Sequence, residues 1–257
     1  MLLFRGAPLT RAQLVTLCRS FGRLKDNQAG NVAEYPEIKA LIAQPQQDGQ
    51  LLANFNGSDW HSDMSSSPTT IIMITMLKAV RLPDLGGDTQ FSNLHLAYDA
   101  LSPGMKNMLE NLEGVHIEQD SELDHSSPER LLATRKAKTT AHRLIATHPE
   151  TGRKLLYVGD KVRLFAGMTA EESEPLLSYL RRHARRPQFV YRHVWRKDDI
   201  VVSDQRSTAH NALGDYDRCN ELRHLDKITL LAAAPTGYRY NDPADTRNMT
   251  DTFAYPL

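Results

Sequence analysis

The run TTIIMITMLKAV, residues 69–80, is rich in β-branched and other apolar residues, and similar runs recur along the chain. Such residues favour strands because their side chains pack well on a pleated, half-buried surface. The other runs are KLLYVG (154–159), QFVYRHVW (188–195), DIVVSDQ (199–205) and KITLLAAA (227–234). They do not alternate regularly with helices, which favours an antiparallel β core with helices outside it. We therefore predict a mainly β fold with flanking helices, in the form of a jelly roll or related closed sandwich.

Three stretches carry helix start signals. Thr10 is followed three residues later by Gln13, and Thr169 by Glu172, which is the spacing of a capping box. The Ser-Pro pair at 102–103 combines an N-cap residue with a proline in the first turn. We expect a helix to begin at each of these positions.

The length of 257 residues suits one large domain, and we expect a single domain over residues 1–257. The stretch 118–142 is polar and charged with little periodicity, so we predict a surface lid or insert there. The strand-like start at residues 2–6 has nothing before it, and we expect the natural chain to begin earlier.

Composition restricts the classes of partner. The chain carries 31 basic and 31 acidic residues, which gives no long-range attraction to nucleic acid or to anionic membranes. Its two cysteines, Cys18 and Cys219, cannot form a disulfide framework, and its longest apolar run is too short to span a bilayer. We expect a soluble cytoplasmic protein that acts on a small molecule, and the sequence leaves open whether it forms homo-oligomers.

The pattern His-x-Asp occurs twice, as His61 with Asp63 and as His224 with Asp226. Residues two apart in an extended chain point to the same face, so either pair could bind one metal ion. The pattern alone is weak, because about 0.7 occurrences are expected by chance in a chain of this composition. A third ligand is needed to give it meaning.

A distant histidine is the third ligand that oxygen chemistry requires. Iron that must also bind a substrate and oxygen takes two imidazoles and one carboxylate on one face and keeps the opposite positions open. His210 follows a strongly β-like stretch, and Gly214 and Asp215 after it would let the chain turn. His210 is therefore the candidate third ligand.

A collinear series of motifs resembles the taurine dioxygenase (TauD/TfdA) family, the Fe(II)- and 2-oxoglutarate-dependent oxygenases that include the 2,4-dichlorophenoxyacetate enzymes. The motifs are LLFRG-PLT (2–10), FG-L (21–24), WHSD (60–63), P--GGDTQFSN (83–93), AYDALS (97–102), THPETGRKLLYV (147–158), W---DIVVSDQRSTAH (195–210) and R---K-T (223–229). The resemblance implies a double-stranded β-helix core, and Fe(II) with 2-oxoglutarate and O2 as co-substrates. It makes His61, Asp63 and His210 the iron ligands, and it leaves His224 and Asp226 a structural role.

The resemblance also implies an anchor for the far carboxylate of 2-oxoglutarate. A guanidinium suits this task because it binds a carboxylate through two parallel hydrogen bonds. The family pairs an arginine with the threonine of GGDT, which here are Arg223 and Thr89. Arg218 is nearer to His210 but falls in a predicted loop, and Lys227 stays open as an alternative anchor.

Two positions depart from the members that use sulfonates. Lys227 stands where they have a second arginine, and Asn27 stands where they have a histidine. Lysine keeps the positive charge but lacks the planar fork that fits a sulfonate. We therefore expect Lys227 and Asn27 to contact a substrate that carries a carboxylate.

These residues predict an oxygenase that hydroxylates its substrate and releases succinate and CO2. Desaturation, or oxidative decarboxylation of an amino-acid-derived metabolite, would use the same iron. A non-oxygenase metal enzyme on the same scaffold and a non-catalytic binding protein also stay open at this stage, because fold and function separate easily.

Overall fold

The β-like runs form strands in the structure, a computed structural model that describes residues 1–26, 31–43, 58–67, 72–118, 139–217 and 220–231. Its strands are β1 (Leu2–Phe4), β2 (Asn31–Val32), β3 (Tyr35–Ala43), β4 (Ile72–Arg81), β5 (Thr89–Asn93), β6 (Glu113–Ile117), β7 (Thr139–Arg143), β8 (Ile145–Thr147), β9 (Lys154–Leu156), β10 (Val162–Phe165), β11 (Val190–His193), β12 (Ile200–Asp204), β13 (Thr208–Ala212) and β14 (Arg223–Leu231). Its α-helices are α1 (Arg11–Arg19), α2 (Leu94–Asp99), α3 (Pro103–Leu109) and α4 (Ala170–Ala184). The prediction of a mainly β chain with flanking helices is confirmed.

The predicted helix starts are confirmed in detail. Thr10 and Thr169 each cap a helix through a complete capping box, α1 and α4 respectively. Ser102 caps α3, with proline in the first turn. The sequence reading missed α2, whose first turn is capped by the side chain of Asn93.

The described residues group into two compact units. The first unit takes its described residues from Met1–Asp63, Ile71–Ser92 and Val190–Ala233, and the second takes them from Met64–Thr70 and Asn93–Phe189. All the candidate metal ligands, with Thr89, Arg223 and Lys227, belong to the first unit.

A six-stranded sheet with the order β1-β12-β4-β14-β3-β2 is the frame of the first unit. β14 lies inside this sheet and pairs antiparallel with β3 on one side and with β4 on the other. Alternate residues of β14 therefore face opposite sides of the sheet.

One face of this sheet is covered by α1. Leu14, Val15 and Cys18 of the helix pack against a cluster that includes Met76 of β4 and Ile228 of β14. Because these residues are almost fully buried, this face is a hydrophobic core.

The other face packs on a three-stranded sheet with the order β11-β5-β13. Phe91 of β5 and Trp195, which follows β11, join a buried cluster with Leu77, Val201 and Leu225 of the large sheet. Two antiparallel sheets packed over a common core form the jelly roll predicted from the sequence. The polar side chains of the candidate site come from this same face.

The second unit contains the sheet β10-β6-β7 and the hairpin β8-β9. Of the predicted lid at 118–142, residues 119–138 lie outside the described residues. Its end is not a loop, because residues 139–142 belong to β7, which pairs antiparallel with β6. The sequence reading went wrong here because the strand residues Thr139–Arg143 are mostly polar yet buried.

None of the helices in the described parts of the chain is both long enough and apolar enough to cross a membrane.

The second unit buries a histidine whose ring nitrogens have no hydrogen-bond partner among the described residues. The His116 ring stacks on Tyr157 and meets His142 edge to face, with centroids 5.1 and 4.8 Å away. Burial, helped by His142 and Lys161, holds the pKa of His116 well below its usual 6.5. The imidazole is therefore neutral in the folded protein.

His116 gives the first prediction, which concerns stability in acid. Below pH 6.5 the unfolded chain binds a proton at this residue and the folded chain does not. The contribution of His116 to stability is therefore fully present above that pH and is lost progressively below it. The free energy of unfolding should therefore fall between pH 7 and pH 5, and we expect this fall to be about 2 kcal/mol smaller in His116→Phe than in the wild type. Urea unfolding at the two pH values measures this difference.

Tyr157→Phe is the matched control, since it alters the same ring cluster without removing a group that titrates in this range. It should leave the pH dependence unchanged. An equal pH dependence in the wild type and His116→Phe would contradict the prediction.

Candidate active site

Two backbone hydrogen bonds join His61 to His210. The amide of each residue donates to the carbonyl of the other, with N–O distances of 2.9 and 2.8 Å. The two imidazole centroids lie 4.4 Å apart. The sequence suggested that His210 follows a strand, but it lies inside β13. This position fixes its backbone in the small sheet.

Asp63 completes the group. One ligand atom from each of His61, Asp63 and His210 can be chosen so that all three lie within 4.8 Å of one another. The Nε2 atom of His61 is 3.6 Å from Oδ1 of Asp63. The Nδ1 atom of His61 lies 2.7 Å from the carbonyl oxygen of Asp59, which fixes the proton on Nδ1 and leaves Nε2 as an electron-pair donor.

Asp63 is a buried carboxylate with a partner on each oxygen. The Thr75 hydroxyl donates to Oδ2 at 2.7 Å, and the Lys227 ammonium donates to Oδ1 at 2.7 Å. The backbone amide of Asp63 donates to the side chain of Gln205. Burial raises the pKa of the Asp63 carboxyl, but Lys227 and the two imidazoles outweigh it and hold that pKa well below its usual range. The carboxylate is therefore ionised.

This donor set fits a divalent metal of the iron type. Two imidazole nitrogens and one carboxylate oxygen on one side form a facial triad, the arrangement found in non-haem Fe(II) oxygenases. Within the described residues, no other group of three such side chains lies close enough together to bind one ion.

Arg223 of β14 and Thr89 of β5 form a second polar pair, where the large sheet faces the small one. The guanidinium donates through Nε to the carbonyl of Gly87 at 2.7 Å and through Nη2 to the hydroxyl of Thr89 at 3.1 Å. Burial lowers the pKa of Arg223 below its usual value, but a guanidinium stays protonated at neutral pH. The pair is a buried cation beside a hydroxyl, which is suited to a carboxylate.

The GGDT segment that carries Thr89 is held in place by its neighbours. The amide of Gly87 donates to Oδ1 of Asp215 at 2.9 Å, and Asp88 accepts from Arg192 at 2.7 Å. Gly86 has a φ of +75°, and a Cβ built on it would lie 2.2 Å from the backbone oxygen of Asp215. Only glycine fits this close approach.

The second His-x-Asp pair faces away from these groups. Asp226 accepts two hydrogen bonds from the guanidinium of Arg11 in α1 and lies 3.0 Å from Nε2 of His224. Because α1 covers the other face of the sheet, these contacts are structural, in agreement with the sequence reading. Asn27 and Arg218, the remaining site candidates, lie outside the described residues.

The sequence reading missed Thr75 and Gln205, which hold Asp63, and the hydrogen bond from the Trp195 indole to Thr89. Thr75 lies in a mostly apolar strand, β4, and belongs to no recognised motif, so the sequence around it does not mark it as a site residue. The side chain of Gln205 donates in turn to Ser203, which continues the buried network.

Comparison with known proteins gives a family match over most of the chain. Residues 1–229 match the family model described as "Taurine catabolism dioxygenase TauD, TfdA family". The chain is 35% identical to an alpha-ketoglutarate-dependent 2,4-dichlorophenoxyacetate dioxygenase from Burkholderia sp. (strain RASC), over 82% of this chain and 75% of that one. It is 34% identical to the protein of the same description from Cupriavidus pinatubonensis, over 90% of this chain and 84% of that one.

Solved structures give the same result. A taurine dioxygenase from Burkholderia xenovorans superposes with a TM-score of 0.73 at 32% identity, covering 91% of this chain and 78% of the other. AAD-2, solved in complex with Mn(II) and N-oxalylglycine, superposes with a TM-score of 0.76 at 27% identity, covering 92% and 84%.

Fold and relatives together define a dioxygenase that uses Fe(II), 2-oxoglutarate and O2. The chain belongs to the TauD, TfdA family.

The second prediction concerns the glycine that positions the GGDT segment. Gly86→Ala adds a methyl group against backbone in a left-handed conformation, and we expect it to lower the free energy of unfolding by about 2–4 kcal/mol. Gly6→Ala is the control, since Gly6 has a φ of +56° but a Cβ built on it would have no atom of the described residues within 4 Å. It should cost only about 1–2 kcal/mol. Equal losses in the two variants, measured by chemical denaturation, would show that the segment yields to the methyl group.

Proposed function

We propose that residues 1–257 act as one catalytic domain that hydroxylates a small organic substrate carrying a carboxylate. The reaction would consume 2-oxoglutarate and O2 and release succinate and CO2. The observation that carries this proposal is the placement of His61, Asp63 and His210 in the same unit as the Arg223–Thr89 pair.

The proposed metal ligands are His61, Asp63 and His210. Bound Fe(II) supplies the oxygen activation that no amino-acid side chain provides. The protein holds one carboxylate and two imidazoles on one side, so that the remaining positions stay open to exogenous molecules. Thr75 would keep Asp63 oriented through Oδ2, which is the support that metal-binding carboxylates require.

The proposed anchor of 2-oxoglutarate is Arg223 with Thr89. The keto-acid end of the co-substrate is the metal chelator, so its far carboxylate needs a fixed cation. Arg223 is held by Gly87 and Thr89 and is therefore oriented before the ligand arrives. Lys227 is less suited to this role, because an ammonium lacks the planar fork that binds a carboxylate through two parallel hydrogen bonds.

Lys227 is the proposed contact for the substrate's anionic group. A divalent cation on Asp63 would repel the Lys227 ammonium and leave its charge to an anion nearby. The curated relatives include proteins named for 2,4-dichlorophenoxyacetate and for (S)-phenoxypropionate, which are both carboxylates. Other relatives are named an alkylsulfatase and a putative alpha-ketoglutarate-dependent sulfonate dioxygenase, so the preference for a carboxylate over a sulfonate rests on the lysine at position 227, which lacks the planar fork of arginine.

The third prediction tests the metal ligands. Replacing His61, Asp63 or His210 with Ala should abolish the weak visible charge-transfer absorption that anaerobic Fe(II) and 2-oxoglutarate produce when they bind together. Substrate-dependent release of succinate should fall at least about 100-fold. Absorption and succinate assays on the purified variants measure both effects.

His224→Gln is the matched control, because His224 belongs to the other His-x-Asp pair and faces α1. It should keep both the absorption and the turnover. A colourless wild type, or loss of colour in His224→Gln alone, would contradict the assignment.

The fourth prediction separates Arg223 from Lys227. Arg223→Met removes a charged partner of the far carboxylate, and we expect the KM for 2-oxoglutarate to rise about 10- to 100-fold. Lys227→Met should change that KM less than about threefold. It should instead lower the rate of succinate release with 2,4-dichlorophenoxyacetate as a probe substrate. Steady-state succinate release, with mass spectrometry of the oxidised product, measures these quantities and distinguishes hydroxylation from desaturation.

A larger effect on the 2-oxoglutarate KM at Lys227 than at Arg223 would reverse the two roles. Taurine serves as the sulfonate comparison. Faster succinate release with taurine than with 2,4-dichlorophenoxyacetate would overturn the proposed substrate class.

A further inference from the structure

Trp195 makes a contact with the candidate co-substrate site that the motifs do not explain. Its indole Nε1 donates a hydrogen bond to Oγ1 of Thr89 at 3.0 Å, and the tryptophan is buried. The ring also belongs to the apolar cluster between the two sheets of the first unit. Packing alone would need only an aromatic ring at this position.

The hydrogen-bond inventory of Thr89 determines where its proton points. A hydroxyl offers one donor and two acceptor lone pairs, whereas an indole N–H and a guanidinium donate only. Thr89 Oγ1 receives one hydrogen bond from Trp195 and one from Nη2 of Arg223 at 3.1 Å. Because both neighbours are donors, neither can accept the Thr89 proton. The hydroxyl proton is therefore left to a third group, which must be an acceptor.

The Trp195 ring is itself fixed from behind. His193 meets it edge to face, with ring centroids 4.4 Å apart and planes at 87°. His193 is fully buried, 3.3 Å from Oδ2 of Asp199. That carboxylate also accepts from the Arg5 side chain and from the backbone amide of Arg196. The indole N–H is thus aimed at Thr89 by a buried imidazole that packs against the tryptophan ring.

We infer that Trp195 is a positioning residue that sets the Thr89 hydroxyl as a donor to the far carboxylate of 2-oxoglutarate. The inference rests on the proposed co-substrate role of Thr89 and Arg223 and adds to it the residue that orients the hydroxyl. Without the indole N–H, one lone pair of Thr89 is free and the hydroxyl can rotate that lone pair toward the carboxylate. A lone pair of the Thr89 oxygen repels the carboxylate, so the affinity for the co-substrate falls.

A double-mutant cycle tests this coupling. Trp195→Phe keeps the aromatic ring and removes the N–H, and Thr89→Val removes the hydroxyl at nearly constant shape. Calorimetric titration of the Mn(II)-loaded protein with N-oxalylglycine gives affinities independent of turnover, and steady-state assays give the KM for 2-oxoglutarate and kcat separately. We expect Trp195→Phe to weaken both affinities about 5- to 10-fold and to change kcat less than twofold. In the Thr89→Val background the same substitution should change affinity less than twofold.

Two outcomes overturn the inference. An equal effect of Trp195→Phe with and without the Thr89 hydroxyl would show that the tryptophan acts only through packing. No effect of Trp195→Phe, together with a loss in Thr89→Val, would show that the hydroxyl needs no orientation.

The failure of the proposed function has a different signature. If Thr89→Val and Arg223→Met both leave the affinity for N-oxalylglycine unchanged, the co-substrate binds elsewhere and the role of Trp195 fails with it. Should the phenylalanine variant not fold, benzothienylalanine incorporated at position 195 preserves the shape of the indole and removes only its N–H. The same affinities then decide the question.

Discussion

The burial of an ionised carboxylate at Asp63 is the constraint on which the organisation of the first unit depends. Transfer of a charge out of water is costly unless each of its oxygens finds a partner. Thr75 and Lys227 supply these partners, and they come from adjacent antiparallel strands, β4 and β14. A side chain that must remain charged in the interior therefore requires these two strands to present polar atoms on the same face of the sheet, and Lys227 pairs with Leu77, two residues from Thr75.

The alternation of side chains along β14 divides the work of the large sheet between its two faces. Arg223, Leu225 and Lys227 point toward the small sheet, where the candidate ligands and the Arg223–Thr89 pair lie. Asp226 and Ile228 point toward α1, where they form an ion pair and a hydrophobic contact. One strand thus provides candidate site residues on one face and the contacts that hold α1 on the other.

Much of this fold could be predicted from the sequence, because the signals are local. β-Branched runs mark the strands, and the caps at Thr10, Ser102 and Thr169 place three helices. β7 escaped detection because most of its buried residues are polar, so neither periodicity nor composition marks it. The proposed iron ligands, with Thr89 and Arg223, were predicted from motif order, whereas Thr75, Gln205 and Trp195 act through hydrogen bonds between distant segments. Such contacts have no spacing rule, and only a three-dimensional arrangement reveals them.

The alternation of side chains between the two faces of β14 restricts how the chain can fold. The strand is held between β3 and β4, and its pairing with β4 shifts by one residue between His224 and Leu225. A slip of the whole strand by one position would send Arg223 and Lys227 to the helix side and bring His224 and Asp226 inward. A mispaired chain would then present an imidazole and a carboxylate where the cations belong, so a catalytically silent protein could retain nearly native amounts of sheet. Strand registration and enzymatic competence are inseparable in this architecture.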